Sequence, residues 1–187
     1  MLTKTRATID DLYKIKEKAE IVCGEIKYLM ATGNKPGFAG DEIFAFLREY
    51  ARQHETGDAV GDGKGFHVTL PNRESFSPDA AYYVGPETEM RFFEGAPIFA
   101  AEVRSEYDYG LAAEREMAEK RLDYFAAGTL VVWDVDLLSA EVVRKYTPDN
   151  PDAPVIFRKG EIANAEPAVP GWTMPVNALF KPEKKKG

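Results

Sequence analysis

The sequence predicts an α/β domain, a sheet flanked by helices, and three observations predict it. Short apolar runs bounded by Gly, Pro, Asn and Asp recur through the middle of the chain, as strands separated by turns do. Leu130-Val131-Val132-Trp133-Asp134-Val135 is apolar at nearly every position, which suits a central strand covered on both faces. The segment from Leu111 to Ala127 is rich in Ala, Glu, Met, Lys and Arg, and Gly128 follows it as a C-terminal stop. Strands with helices before and between them pack as a sheet with helical layers.

Taken in order, Thr8 caps a first helix running to about Ala19, with Ile9, Leu12 and Ile15 at helical spacing. Ile21 to Ile26 reads as two short strands about a turn at Gly24. Ala31 to Gly37 is dense in turn formers and reads as a loop. A second helix is expected from about Gly40 to Glu55, its apolar face made by Ile43, Phe44, Leu47, Tyr50 and Ala51. Strands are expected at Phe66–Leu70, Asp79–Val84, Pro97–Val103, Leu130–Val135 and Glu141–Tyr146. Beyond Pro148 the chain is Pro-rich, with strand pieces near Val155–Phe157 and Glu161–Ile162 and a short apolar turn from Val176 to Phe180.

At 187 residues the expectation is one domain, residues 1–182, followed by a short basic tail, 183–187, that is solvated and disordered. Hydrophobic content of 44% and charged content of 29% are those of a globular protein. No apolar run approaches the roughly 20 residues of a membrane helix, and the charged N-terminus has no signal core. A cytoplasmic protein without a membrane partner is therefore expected. The single cysteine, Cys23, excludes an internal disulfide and reads as a small buried residue. The net charge of −7 argues against general nucleic-acid affinity, because phosphate attraction supplies most of that affinity.

Two carboxylates stand out because each sits in apolar surroundings, where an unpaired charge is costly. Asp79 opens the run Ala80-Ala81-Tyr82-Tyr83-Val84, and Glu102 follows Ile98-Phe99-Ala100-Ala101. Brought together they would repel unless a divalent cation bridged them. Pro148-Asp149 and Pro151-Asp152 repeat the Pro-Asp pair of Pro78-Asp79, but they lie in a turn-rich stretch and read as turns. The plainer reading of the first pair is an Asp at a strand edge and a Glu paired with an arginine. The order Glu25, Asp79, Glu102, Lys120 supports the metal reading. Carboxylate oxygens hold magnesium, and a nearby lysine orients or helps deprotonate a water and offsets charge on a phosphate. Lys120 read alone is a solvent-exposed helix lysine.

Cys23-Gly24-Glu25-Ile26, Thr32-Gly33, Ser77-Pro78-Asp79-Ala80, Ala101-Glu102-Val103-Arg104-Ser105, Lys120 to Tyr124 and Val132-Trp133-Asp134-Val135 together resemble the bacterial Uma-two restriction-endonuclease-like family of the PD-(D/E)XK nuclease superfamily. The resemblance spans roughly residues 20 to 180. It implies a restriction-endonuclease-like core, a mixed central sheet with helices on both sides. It implies Asp79 and Glu102 as metal ligands for Mg2+, with Mn2+ as a substitute, and Glu25 as a supporting catalytic carboxylate. Arg104 stands where the superfamily carries a lysine, and arginine stays protonated, so the resemblance assigns the catalytic lysine to Lys120. Arg104 and Tyr124 are then expected at the substrate. Many relatives carry a histidine after Thr-Gly; here Pro36 stands in that place. His54 and His67 read as structural, and Trp133 and Trp172 as packing residues.

The expected function is metal-dependent hydrolysis of DNA phosphodiesters, by a homodimer or higher homo-oligomer able to cut both strands. A non-catalytic binding or assembly module that keeps the fold is the alternative. The acidic charge, Arg104 and Pro36 favour it. A hydrolase of smaller phosphodiesters is a third reading, for which no glycine-rich phosphate loop speaks.

Overall fold

The computed structural model describes residues 6–182. The tail expectation for 183–187 lies outside the described residues. A single helical turn, α1 (Ile9–Leu12), leads into a hairpin of β1 (Ala19–Val22) and β2 (Glu25–Tyr28), then the long helix α2 (Asn34–His54). There follow β3 (Asp58–Gly61), β4 (Phe66–His67), β5 (Ser75–Phe76), β6 (Ala80–Tyr83), β7 (Phe93–Glu94) and β8 (Phe99–Val103). Helix α3 (Leu111–Ala126) precedes β9 (Val131–Val135), β10 (Val143–Thr147) and β11 (Asn150–Phe157). The described chain closes with β12 (Ile162–Asn164), β13 (Thr173–Pro175) and a 3-10 turn at Val176–Leu179.

The central sheet has six strands in the order β11-β10-β9-β8-β6-β3. Only β8 and β9 pair in parallel, and α3 is the crossover that a parallel pair requires. The sheet is therefore mixed. Side-chain alternation gives it two buried faces. Phe99, Ala101, Val103, Val131 and Trp133 pack with Ile43 and Leu47 of α2 and with Trp172. Ala81, Tyr83, Ala100 and Val132 pack with Tyr124 of α3 and with Phe66 and Phe76 of the small β5-β4-β7 sheet. All five residues of β9 are buried, as its apolar run predicts.

Register aligns acidic residues across one end of this sheet. Gly61 pairs with Ala80, and Ala80 with Ala101, so Asp62, Asp79 and Glu102 follow one step on in neighbouring strands. Glu102 in turn pairs with Asp134 on β9. Residues distant in sequence thus form one row, and the site lies on it.

Five expectations are corrected. The first helix stops at Leu12, because Lys14, Lys16, Glu17 and Lys18 leave Ile15 without an apolar stripe to continue. Helix α2 begins at Asn34, inside the expected loop; Pro36 is tolerated in the first turn, where its missing N–H has no intrahelical partner. Of the strand expected over 66–70, Phe66–His67 forms β4, while Val68 and Leu70 donate to the Glu74 and Arg73 carbonyls in the bend that follows. Pro151-Asp152 lies within strand β11, and the proline is accommodated because β11 is a sheet edge. Cys23 is exposed: with Gly24 it forms the hairpin turn, at φ 53° and 75°, the left-handed pair of a two-residue β-turn.

Candidate active site

Asp79 stands just before β6. Its N–H donates to the Ala101 carbonyl at 3.1 Å, and its Oδ2 accepts the Val103 N–H at 2.7 Å. Two backbone bonds thereby lock Asp79 beside Glu102. From the helix side, Lys120 and Tyr124 are four residues apart and share one face of α3. The Tyr124 hydroxyl donates to Glu102 Oε1 at 2.7 Å, and Lys120 Nζ lies 2.8 Å from the same oxygen. Tyr124 is fully buried, stacked on Phe76 with ring centroids 3.9 Å apart.

The hairpin supplies a further carboxylate. Glu20 on β1 is buried, and its Oε1 lies 3.0 Å from Lys120 Nζ and accepts the Ser77 N–H at 2.8 Å. Its Oε2 pairs with Arg73 at 2.7 Å, and Arg73 also holds Asp123 of α3 at 2.8 Å. At the other end of the row Lys18 Nζ lies 2.5 Å from Asp62 Oδ1 and 3.4 Å from Asp79 Oδ1.

Electrostatics separates these carboxylates into two kinds. Burial pushes Asp79 above the ordinary aspartate value, and Lys18, the Val103 N–H and Lys120 only partly offset it. Burial likewise raises Glu102, helped by Asp79 and Glu20 and opposed by Lys120. Glu20 is desolvated too, but Lys120 and Arg73 outweigh that, and its carboxyl is lowered. Burial disfavours the Lys120 ammonium, yet Glu102 and Glu20 overcome it and raise the lysine above its ordinary value. Tyr124 is raised well above a normal phenol by desolvation and by Glu102. Asp79 and Glu102 are thus anions held in a costly state, beside a lysine that keeps its proton.

The chain matches the model of the Uma2 family, described as "Putative restriction endonuclease", over residues 8–177. It belongs to that family. A similar solved structure is a "putative nuclease belonging to DUF820" from Anabaena variabilis ATCC 29413, with 17% sequence identity, covering 92% of this chain and 97% of that one at a TM-score of 0.73. At that identity the likeness is one of fold, and it is shared by the mixed α/β sheet described above. No protein of curated function matches.

In this Uma2-family chain the structure brings Asp79, Glu102, Lys120 and Tyr124 together and sets the other expected residues elsewhere. Glu25 pairs with Val22 at the exposed turn end of the hairpin; the hairpin glutamate that reaches Lys120 is Glu20, two rungs further in. Arg104 is buried and committed. It grips Asp134 through two bonds of 2.7 and 2.6 Å and also bonds Glu114 at the start of α3. Its guanidinium anchors the helix to the sheet and is not presented to substrate. Tyr124 is fully buried and its hydroxyl donates to Glu102, a geometry that suits holding the carboxylate more than meeting a substrate. Lys120 is ion-paired to both Glu102 and Glu20, and those carboxylates raise it above its ordinary value.

Sequence reasoning missed Glu20, Lys18 and Asp62. A signal for Glu20 was present: it is a carboxylate inside the apolar strand Ala19-Glu20-Ile21-Val22, the criterion that singled out Glu102. Lys18 and Asp62 have no such signal, because their place depends on strand register.

Among the described residues no cluster of three or more His, Cys, Asp or Glu side chains is arranged to hold a metal. Magnesium does not need one; it is commonly held by one or two carboxylates together with waters and substrate phosphate oxygens. Asp79 and Glu102 fit that donor set. They are hard oxygen ligands on adjacent strands, each raised in pKa and so relieved by a nearby cation.

Proposed function

We propose that the chain is a divalent-cation-dependent DNA endonuclease, with Mg2+ as the ion and Mn2+ as a substitute. The observation that carries this reading is the meeting of Asp79 and Glu102 across β6 and β8, with the Lys120 ammonium 2.8 Å from Glu102. Bound between the two carboxylates, magnesium would polarise a phosphate and acidify a water. The chain's own part is preorganisation. The Val103 N–H fixes Asp79, and Tyr124 and Lys120 fix Glu102. The Lys120 ammonium donates to the attacking water and offsets charge growing on the phosphate. Held by Glu102 and Glu20, the Lys120 ammonium is suited to orient the water rather than to take its proton. Cutting both strands would bring two copies to one duplex.

The reading is tested by nicking of supercoiled plasmid with Mg2+ or Mn2+, using wild type, Asp79→Ala and Lys120→Ala. Cleavage by wild type alone is expected, with EDTA abolishing it. Equal cleavage by all three folded proteins would refute the assignment. A non-catalytic module is the second reading, and one observation favours it. Lys18 and Lys120 already pair with Asp79 and Glu102, so each of the two carboxylates has a cationic partner without a metal. That reading expects no cleavage and no cation binding.

A further inference from the structure

Lys18 lies immediately before β1, and its ammonium sits between two neighbouring members of the acidic row. Its two contacts are unequal. Asp62 Oδ1, 2.5 Å away, belongs to the turn after β3, where the Gly63 N–H also holds it at 2.6 Å. Asp79 Oδ1, 3.4 Å away, is at the outer limit of a hydrogen bond. Asp62 therefore tethers the lysine, while Asp79 receives its charge at longer range. Oδ2 of Asp79 is taken by the Val103 N–H, so Oδ1 is the oxygen left for an incoming ligand.

Asp79 borders a cavity of about 550 Å³ whose wall also includes Lys18, Asp62, Gly37 and Gly40. Helix α2 presents glycines to this space. A Cβ on Gly40 would come 3.4 Å from Asp79 Cβ, so the helix backbone passes close behind Asp79 and leaves the cavity side open. Glu17 and Asp41 line the same cavity, which makes it acidic apart from Lys18. An anion enters such a space only with a cation beside it. Lys120 is differently placed: it is clamped between Glu102 and Glu20, and Glu20 is itself fixed by Arg73 and Ser77.

We propose that Lys18 is the exchangeable counter-ion of Asp79: its ammonium neutralises Asp79 in the cation-free protein, yields Oδ1 to a divalent cation, and turns, still beside Asp62, to the phosphodiester that the cation brings in. The inference rests on the metal-dependent reading above. A cation coordinated by Oδ1 and an ammonium on the same oxygen repel, and the displaced lysine, still paired with Asp62, gains the incoming phosphate as a new anionic partner. Lys18 then serves as a second phosphate contact across the site from Lys120.

Calorimetric titration with Mn2+ in the absence of DNA tests the exchange on wild type, Lys18→Met and Asp79→Asn, each first shown to be folded by thermal unfolding. Lys18→Met is expected to bind Mn2+ on the order of tenfold more tightly, since a positive charge has left the cation's surroundings. Asp79→Asn is expected to lose binding. If Lys18→Met does not fold, Lys18→Gln takes its place with the same expectation. The second measurement is affinity for a duplex oligonucleotide in Ca2+ across a salt series, where Lys18→Met should show a log-log slope shallower by about 1. Unchanged or weaker Mn2+ affinity in Lys18→Met, with binding lost in Asp79→Asn, overturns the exchange and leaves the metal reading standing. Mn2+ binding that survives Asp79→Asn overturns both. An unchanged salt slope overturns the phosphate contact.

Discussion

Replacing Lys120 with methionine removes the cation that two buried carboxylates share, and the structure sets the size of the effect. Nζ lies 2.8 Å from Glu102 Oε1 and 3.0 Å from Glu20 Oε1. At an effective dielectric of about 20, each contact carries roughly 5–6 kcal/mol of Coulomb attraction before the cost of desolvating the ammonium. Removing one partner of a buried pair costs about 3–5 kcal/mol net. The Glu102 side chain is 27% exposed and water relieves part of its loss, which places the expected cost near the lower figure, about 3 kcal/mol. For a chain of this size that is a fall in Tm of roughly 6–12 °C. The pH dependence identifies the cause. Glu20 is lowered in the folded protein, so its contribution is present above the ordinary value of 4.5 and fades as pH falls through its folded pKa. Lys120 is raised, so its contribution is complete below 10.5 and fades only as pH rises beyond that. The gap between wild type and Lys120→Met should therefore be widest near neutral pH. It should close on acidification, as Glu20 and Glu102 of the variant take up protons. Thermal unfolding at pH 7 and pH 4 measures both quantities. A Tm within 2 °C of wild type at pH 7, or a gap that widens in acid, would refute the reasoning.

Three further outcomes are expected. Tyr124→Phe keeps the stack on Phe76 and loses only the bond to Glu102, so it should cost about 1 kcal/mol in urea unfolding while nicking activity falls severalfold; unaltered activity would remove Tyr124 from the positioning role. Arg104→Gln removes the cation that Asp134 and Glu114 share and should destabilise by about 3–5 kcal/mol without changing the salt slope of DNA binding; a slope shallower by about 1 would return Arg104 to the substrate. Burial raises both Asp79 and Glu102, so Mn2+ affinity should already weaken as pH drops toward the acid range, above the ordinary 3.8 and 4.5. Calorimetry stepped down from pH 7.5 that shows no loss of affinity until the pH is below 3.8 would contradict this.

Much of the fold was legible because strands such as Val131–Val135 and helices such as Leu111–Ala126 carry their own periodicity and stops. The carboxylates at Asp79 and Glu102 were legible for a related reason: a charge inside an apolar run asks for a partner. Roles that depend on which residue meets which were not. Arg104 is one residue from Val103 and two from Glu102 in sequence, yet its guanidinium is turned to Asp134 and Glu114 by the pairing of β8 with β9 and the start of α3. Glu25 and Glu20 lie on the same hairpin, and alternation places both on one face through the pairs Val22–Glu25 and Glu20–Lys27. Two rungs separate them, about 7 Å along the strand, and that distance decides which glutamate reaches Lys120. Nothing in local sequence reports it.

The same register decides which cation each carboxylate of the row meets. Each member of the row from Asp62 to Asp134 has a cationic neighbour: Lys18 for Asp62 and Asp79, Lys120 for Glu102, and Arg104 for Asp134. The cationic contacts differ in length, and the one at Asp79 is the longest. Arg104 is held by several short bonds among buried groups, and Lys120 by two carboxylates at 2.8 and 3.0 Å. Lys18 touches Asp79 only at 3.4 Å. Under the proposed exchange a divalent cation would meet least resistance at Asp79 Oδ1, and Asp79 is among the residues that line the cavity. At the far end of the row Arg104 ties Asp134 to Glu114 of α3, a contact that the exchange would leave in place.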